Sequence, residues 1–190
     1  IGSLAVTLPD DARLANRSFL ISPEGKIIAR YDKIHMFDVN VEDGQSYRES
    51  KTYKPGTKLV TSALPFGTLG LTICFDLRFP DLYRQLAKSG ANILTCPAAF
   101  TRVTGRAHWH ALLRARAIEN GAFVIAPAQA GKHEDGRETF GHSLIISPWG
   151  EILAEGIAEG ENVICAEIDI AASEKARAQI PSLSLDMDFS

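Results

Sequence analysis

The run Leu69-Gly-Leu-Thr-Ile-Cys74, continued by Phe75-Asp-Leu-Arg78-Phe-Pro80, decides how this chain of 190 residues folds. A short apolar run with branched side chains reads as a buried strand, and it stops at Cys74 in front of a turn. Beyond the turn, Leu82, Leu86 and Ala87 fall at helical spacing over residues 81–88, and Gly90 supplies the stop. Residues 91–96 are apolar again and form a second buried strand, closed by Pro97. Upstream, residues 17–21 and 26–30 flank Ser22-Pro23-Glu24-Gly25, whose Pro and Gly suit a type I turn and so a hairpin.

Downstream, Trp109, Leu112, Leu113, Arg116 and Ala117 share one helical face over residues 108–120, which end at Gly121. Phe123–Ala126 reads as a strand, and residues 142–146 and 151–154 as a second hairpin through Ser147-Pro148-Trp149-Gly150. A final strand is expected over residues 162–168, then a short helix over 172–179 stopped near Pro181. Strands interleaved with helices and hairpins indicate an α/β layered domain with some antiparallel pairing. Nothing marks a linker, so residues 1–190 are read as one domain.

Composition excludes several classes of function. Twenty Lys and Arg against 23 Asp and Glu give a net charge of −3, without the basic excess that binds nucleic acid. The longest uncharged stretch, residues 59–75, is broken by Pro65, Gly67 and Gly70 and cannot span a membrane. The three cysteines, Cys74, Cys96 and Cys165, form neither a CxxC pair nor a tight framework, which fits a reducing, cytoplasmic compartment. His108-Trp-His110 cannot make an i, i+4 metal pair, and His133 and His142 flank the polar loop 134–139 as solvated or loop-tying residues rather than metal ligands. No metal and no cofactor is expected.

Cys74 sits where a nucleophile belongs, at the end of a buried strand and the start of a turn into a helix. There it can meet a carbonyl while the next backbone N–H points at the developing oxyanion. A free cysteine is equally at home as a small apolar core residue, and position alone leaves both readings open. Lys33, in Tyr31-Asp-Lys33-Ile-His35-Met-Phe37-Asp38, would by itself be a surface lysine, Glu49 a loop residue, and Arg78 an ion-pair partner of Asp76 or Asp81.

Taken together, these segments resemble the carbon–nitrogen hydrolase (nitrilase) superfamily, in its Nit-type ω-amidase and deaminated-glutathione-amidase branch. The resemblance also carries Tyr47-Arg-Glu49-Ser, Lys54-Pro-Gly56, Pro97-Ala-Ala-Phe100, Thr104-Gly-Arg-Ala-His108-Trp109, Arg114-Ala-Arg-Ala-Ile-Glu119-Asn120, Gly141-His-Ser143-Leu and Pro148-Trp-Gly150, all in the family's order. It implies a four-layer α-β-β-α sandwich, a homodimer and a small-molecule amide substrate. Matched residue by residue, Cys74 attacks the amide and expels ammonia, leaving a thioester that water hydrolyses. Lys33 stands at the oxyanion with the Phe75 backbone N–H and favours the thiolate, and Glu49 holds the lysine. Arg78 grips a substrate carboxylate, with Thr104 as a hydroxyl contact and Phe100 as a pocket wall. The CFDLRFP loop lacks the features of true nitrilases, which favours amides over nitriles.

The family's third catalytic residue, a general-base glutamate, precedes the lysine by several dozen residues on an early strand. Before Lys33 this chain offers Asp10, Asp11, Glu24 and Asp32, none in that context. The start of the chain reads as a strand already under way, residues 1–6. The resulting expectation is the C-terminal part of the domain, without its first strands and helices and nearly inactive alone. An N-carbamoyl amino acid amidohydrolase and a non-catalytic binding or assembly module are the alternatives.

Overall fold

The computed structural model describes residues 2–40, 46–134 and 136–187. In chain order the elements are β1 (Ser3–Leu8), β2 (Asp11–Ile21), β3 (Ile27–Asp32), β4 (Asp38–Asn40), β5 (Ser46–Arg48), β6 (Thr61–Leu64) and β7 (Gly67–Leu71). After them come α1 (Pro80–Lys88), β8 (Ile93–Thr95), α2 (Arg102–Asn120), β9 (Phe123–Ala126), β10 (Ala130–Lys132), β11 (Glu138–Phe140), β12 (Leu144–Ile146), β13 (Ile152–Glu155) and α3 (Ala171–Gln179).

A six-stranded sheet in the order β13-β12-β9-β8-β7-β6 forms the centre. Its middle strands β7, β8 and β9 are parallel, and β6, β12 and β13 join antiparallel at the flanks. One face carries α1 and α2 through a core of Leu77, Leu86, Leu94, Trp109, Leu113, Val124 and Leu144. The other packs against the antiparallel sheet β1-β2-β3 through Tyr31, Leu69, Leu71, Ile93 and Phe123, with Leu20 and Ala29 beside them. Helix, sheet and sheet are thus three layers of an α/β fold, and α1 and α2 fill the crossovers that parallel strands require.

Local chemistry explains most of the elements. The turn at Ser22 closes with the Gly25 N–H on the Ser22 carbonyl at 2.9 Å. Gly90 and Gly121 end their helices at φ of 96° and 53°, values an L side chain resists. Arg116, on the apolar face of α2, is buried because its guanidinium donates to the Leu77 carbonyl at 2.8 and 3.0 Å and lies over Tyr83.

The structure departs from the sequence reading at three places. Helix α2 starts at Arg102 rather than near residue 108, because the Thr101 side chain caps the Thr104 N–H. Gly105 belongs to that first stretch, and a Cβ there would collide with the Phe140 ring. The loop read over 134–139, of which Asp135 lies outside the described residues, is in part a small hairpin of β10 and β11. Residues 162–168 form no strand: Ile164, Ala166 and Ile168 turn inward, yet no backbone among the described residues pairs with them, and Val163 is 91% exposed. The strand expected over residues 1–6 appears as β1, with Ile1 outside the described residues.

Candidate active site

The carboxyl ends of β7, β8 and β9 open onto a cavity of about 800 Å³, the place where open parallel sheets bind ligands. Cys74 enters it from the end of β7. The chain stays extended at Ile73 and then turns sharply, with Cys74 at φ 49° and a 3-10 turn over Cys74–Arg78. A left-handed non-glycine residue costs on the order of 1–3 kcal/mol and persists only where its surroundings fix it. Here the Cys74 N–H donates to the Pro97 carbonyl at 3.0 Å, and the Thr72 N–H to the Thr95 carbonyl at 3.1 Å. The elbow lifts the thiol off the sheet edge and into the cavity.

Lys33 reaches the same cavity from the end of β3. It is 2% exposed, its N–H donates to the Asn16 carbonyl and its carbonyl accepts the Gly56 N–H. The ammonium is paired with the Glu49 carboxylate. Glu49 also accepts the Phe37 N–H at 2.6 Å and the Asn16 amide at 3.3 Å, so three donors hold it. A buried ammonium without such a partner would be costly, and the Glu49 carboxylate offsets that cost.

Burial pushes the Cys74 thiol above its ordinary range; the Lys33 charge pulls it back, while Glu49 and Asp76 push it further up. The lysine charge favours the thiolate, but desolvation outweighs it and the net direction is upward. Cys96, fully buried behind the elbow, is pushed to about 12 by burial, and Cys165 lies in the exposed segment beyond β13. Among the described residues lining the cavity, Cys74 is the one cysteine and Glu49 the one carboxylate.

Asp76 escaped the sequence reading except as a partner for Arg78, and the structure corrects that. Its carboxylate is fully buried and accepts the Tyr31 hydroxyl at 2.7 Å, the His35 N–H at 3.0 Å, His35 Nδ1 at 2.7 Å and the Ile73 N–H at 2.9 Å. One side chain thus ties Tyr31 and His35, two positions before and two after Lys33, to the residue before Cys74. Asp76→Asn sets an amide N–H₂ against these donors, and it is expected to cost about 1.5–3 kcal/mol. Urea unfolding of the variant checks this; an unchanged midpoint would contradict it.

Phe75, Phe100 and Thr104 line the cavity with Cys74, and the Thr101 and Thr104 hydroxyls meet at 2.7 Å at the positive end of α2. Arg78 does not itself line it. The guanidinium stands 5.2 Å from the Phe100 ring and 6.0 Å from Phe75, and it hydrogen-bonds His108 Nδ1 at 3.3 Å. His108 carried no signal in the sequence beyond its motif. Lys33, Arg48 and Arg137 line the cavity together with Glu49.

The carbon-nitrogen hydrolase family model matches residues 2–178. The chain belongs to the carbon–nitrogen hydrolase family. It is 52% identical over 170 residues to a protein of Synechocystis named deaminated glutathione amidase, covering 88% of this chain and 62% of that protein. A Schizosaccharomyces pombe protein named probable hydrolase nit2 is 43% identical over 175 residues, 90% of this chain and 63% of its own. The crystal structure of the C. elegans NitFhit protein superposes with a TM-score of 0.87 at 37% identity, covering 98% of this chain and 45% of that one. The chain thus spans about three fifths of the length of these two relatives. The layered fold expected from the resemblance agrees with these neighbours.

Proposed function

We propose that this chain carries the thiol site of an amidase that hydrolyses the linear amide of a small, carboxylate-bearing molecule. The observation that carries the reading is the Cys74 elbow opening beside the buried Lys33–Glu49 pair in one cavity. Cys74 sulfur attacks the amide carbon, and the carbonyl oxygen takes up negative charge. The Lys33 ammonium and the Phe75 N–H stabilise that charge, the C–N bond breaks, and ammonia leaves with the thiol's proton. Water then splits the thioester to a carboxylate and restores the thiol. Glu49 holds Lys33 in its place. Since burial pushes the Cys74 thiol up, acylation speeds up as pH rises toward the point where thiolate forms.

The substrate class rests on charge. The positive end of α2 at the cavity wall, where Thr101 and Thr104 stand, favours a carboxylate on the substrate, in keeping with the relatives' name. Arg78, stacked on two cavity walls, supplies the fork that grips it once the walls admit the ligand. Arg78→Ala is expected to raise KM for ω-amides of keto acids at least about tenfold, the loss of one charged hydrogen bond, while small neutral amides change little. Equal losses on both would remove Arg78 from this role. Ammonia released without carbon dioxide separates this reaction from N-carbamoyl hydrolysis.

The same reading makes the protein a cytoplasmic homodimer whose domain includes all 190 residues. Three unpaired cysteines support the reducing compartment, and no helix among the described residues is long and apolar enough to cross a membrane.

A further inference from the structure

Outside the cavity, helix α2, the turn before β12 and the end of β13 bring His110, His142 and Glu155 together. His110 Nε2 lies 2.9 Å and His142 Nδ1 2.7 Å from the same Glu155 oxygen, and the three atoms all fall within 4.8 Å of one another. We infer that His110, His142 and Glu155 form a binding site for one divalent transition metal, zinc by its donor set, that ties α2 to the edge of the central sheet. None of the three lines the cavity, so the site is separate from the thiol chemistry.

The donor set and the spacing support this assignment. Two imidazole nitrogens and one carboxylate oxygen are a familiar zinc set, with bonds of about 2.0–2.2 Å and a fourth position left to water. Tetrahedral geometry at those bond lengths puts ligand atoms about 3.3 Å apart, so each imidazole nitrogen draws back from the Glu155 oxygen by roughly half an ångström to take the ion. The side chains are 33%, 25% and 37% exposed, which leaves an entry path.

Each ligand is held by its own support. His110 follows Trp109, which is fully buried and donates its indole N–H to the His142 carbonyl at 2.8 Å. His142 adopts φ 56° and its ring stacks on Phe140 at 4.3 Å, which aims Nδ1 at Glu155. Glu155 sits on β13, opposite Leu144 of β12. Ligands preset on three rigid elements lose little freedom on binding. The residue after His142, Ser143, lines the cavity and accepts the Ala128 N–H at 2.9 Å, so a metal here stiffens one cavity wall from behind.

The test is titration of Zn²⁺ into the full chain in a Cys74→Ala, Cys165→Ser background, which removes the accessible thiols as competing ligands. Calorimetry is expected to give one ion per chain and a higher Tm with the metal. Co²⁺ in its place should show ligand-field bands with no thiolate charge-transfer band. His110→Ala and Glu155→Gln should each weaken binding by at least about tenfold and abolish the Tm shift. His142→Asn should do the same with the metal-free Tm retained, because Asn tolerates the left-handed backbone. No binding by the folded chain, a thiolate band, or equal affinity in all three variants would overturn the assignment.

Discussion

Cys74→Ala is expected to remove the amide hydrolysis that this site carries out, because a covalent nucleophile has no substitute within the site. Cys96 cannot replace it: the residue is fully buried and its thiol is pushed to about 12. Cys165 does not line the cavity. Folding should survive, since alanine removes only the sulfur from a half-buried side chain and the elbow is held by backbone bonds to Pro97 and by Asp76. A variant that keeps its circular dichroism and Tm but releases no ammonia fits this account. Residual turnover near the parent rate would place the chemistry elsewhere.

Lys33→Met is expected to act on both steps that create charge. Without the ammonium, the oxyanion loses one donor, typically about a 100- to 1000-fold factor. The thiol also loses the ammonium that pulls it down, while Glu49, without its cation, pushes it further up. The direction is therefore fixed: Cys74 titrates at higher pH in the variant than in the parent. Iodoacetamide labelling of Cys74 followed against pH reads this directly, with the inflection moving to higher pH. An inflection that stays, or moves down, would show that Lys33 does not face the thiol. Methionine fills the volume of the buried stem, so the comparison reads charge more than packing.

Much of this arrangement is legible in the residues, for particular reasons. Phe123–Ala126 and both hairpins follow from short apolar runs bounded by Gly and Pro, and those signals are local. The first turn of α2 is not legible, because Gly105 and Thr104 lower helix propensity and only Phe140, packed on Gly105, shows why glycine stands there. Residues 162–168 alternate as a strand should, but alternation reports which side faces inward and cannot report whether a second backbone is present. Cys74, Lys33 and Glu49 are visible as a motif, yet the burial of Lys33 and its three-way clamp through Glu49 require the folded chain. Asp76 and His108 act through contacts across 45 and 30 positions, which no spacing rule announces. The same holds for His110, His142 and Glu155, which lie in no ligand pattern along the chain.

The measurement that tests the central claim most directly is acylation of the 190-residue chain by a p-nitrophenyl ester of a short carboxylic acid. Nitrophenolate leaves without a proton, and mildly alkaline buffer supplies the thiolate, so the reaction asks only whether Cys74 attacks and Lys33 assists. The mixture is quenched in acid, weighed intact and mapped by peptide. One acyl group per chain on Cys74, absent in Cys74→Ala and formed far more slowly in Lys33→Met, is the predicted result. Acyl groups on Cys165 or on lysines, with the same yield in Cys74→Ala, would contradict it.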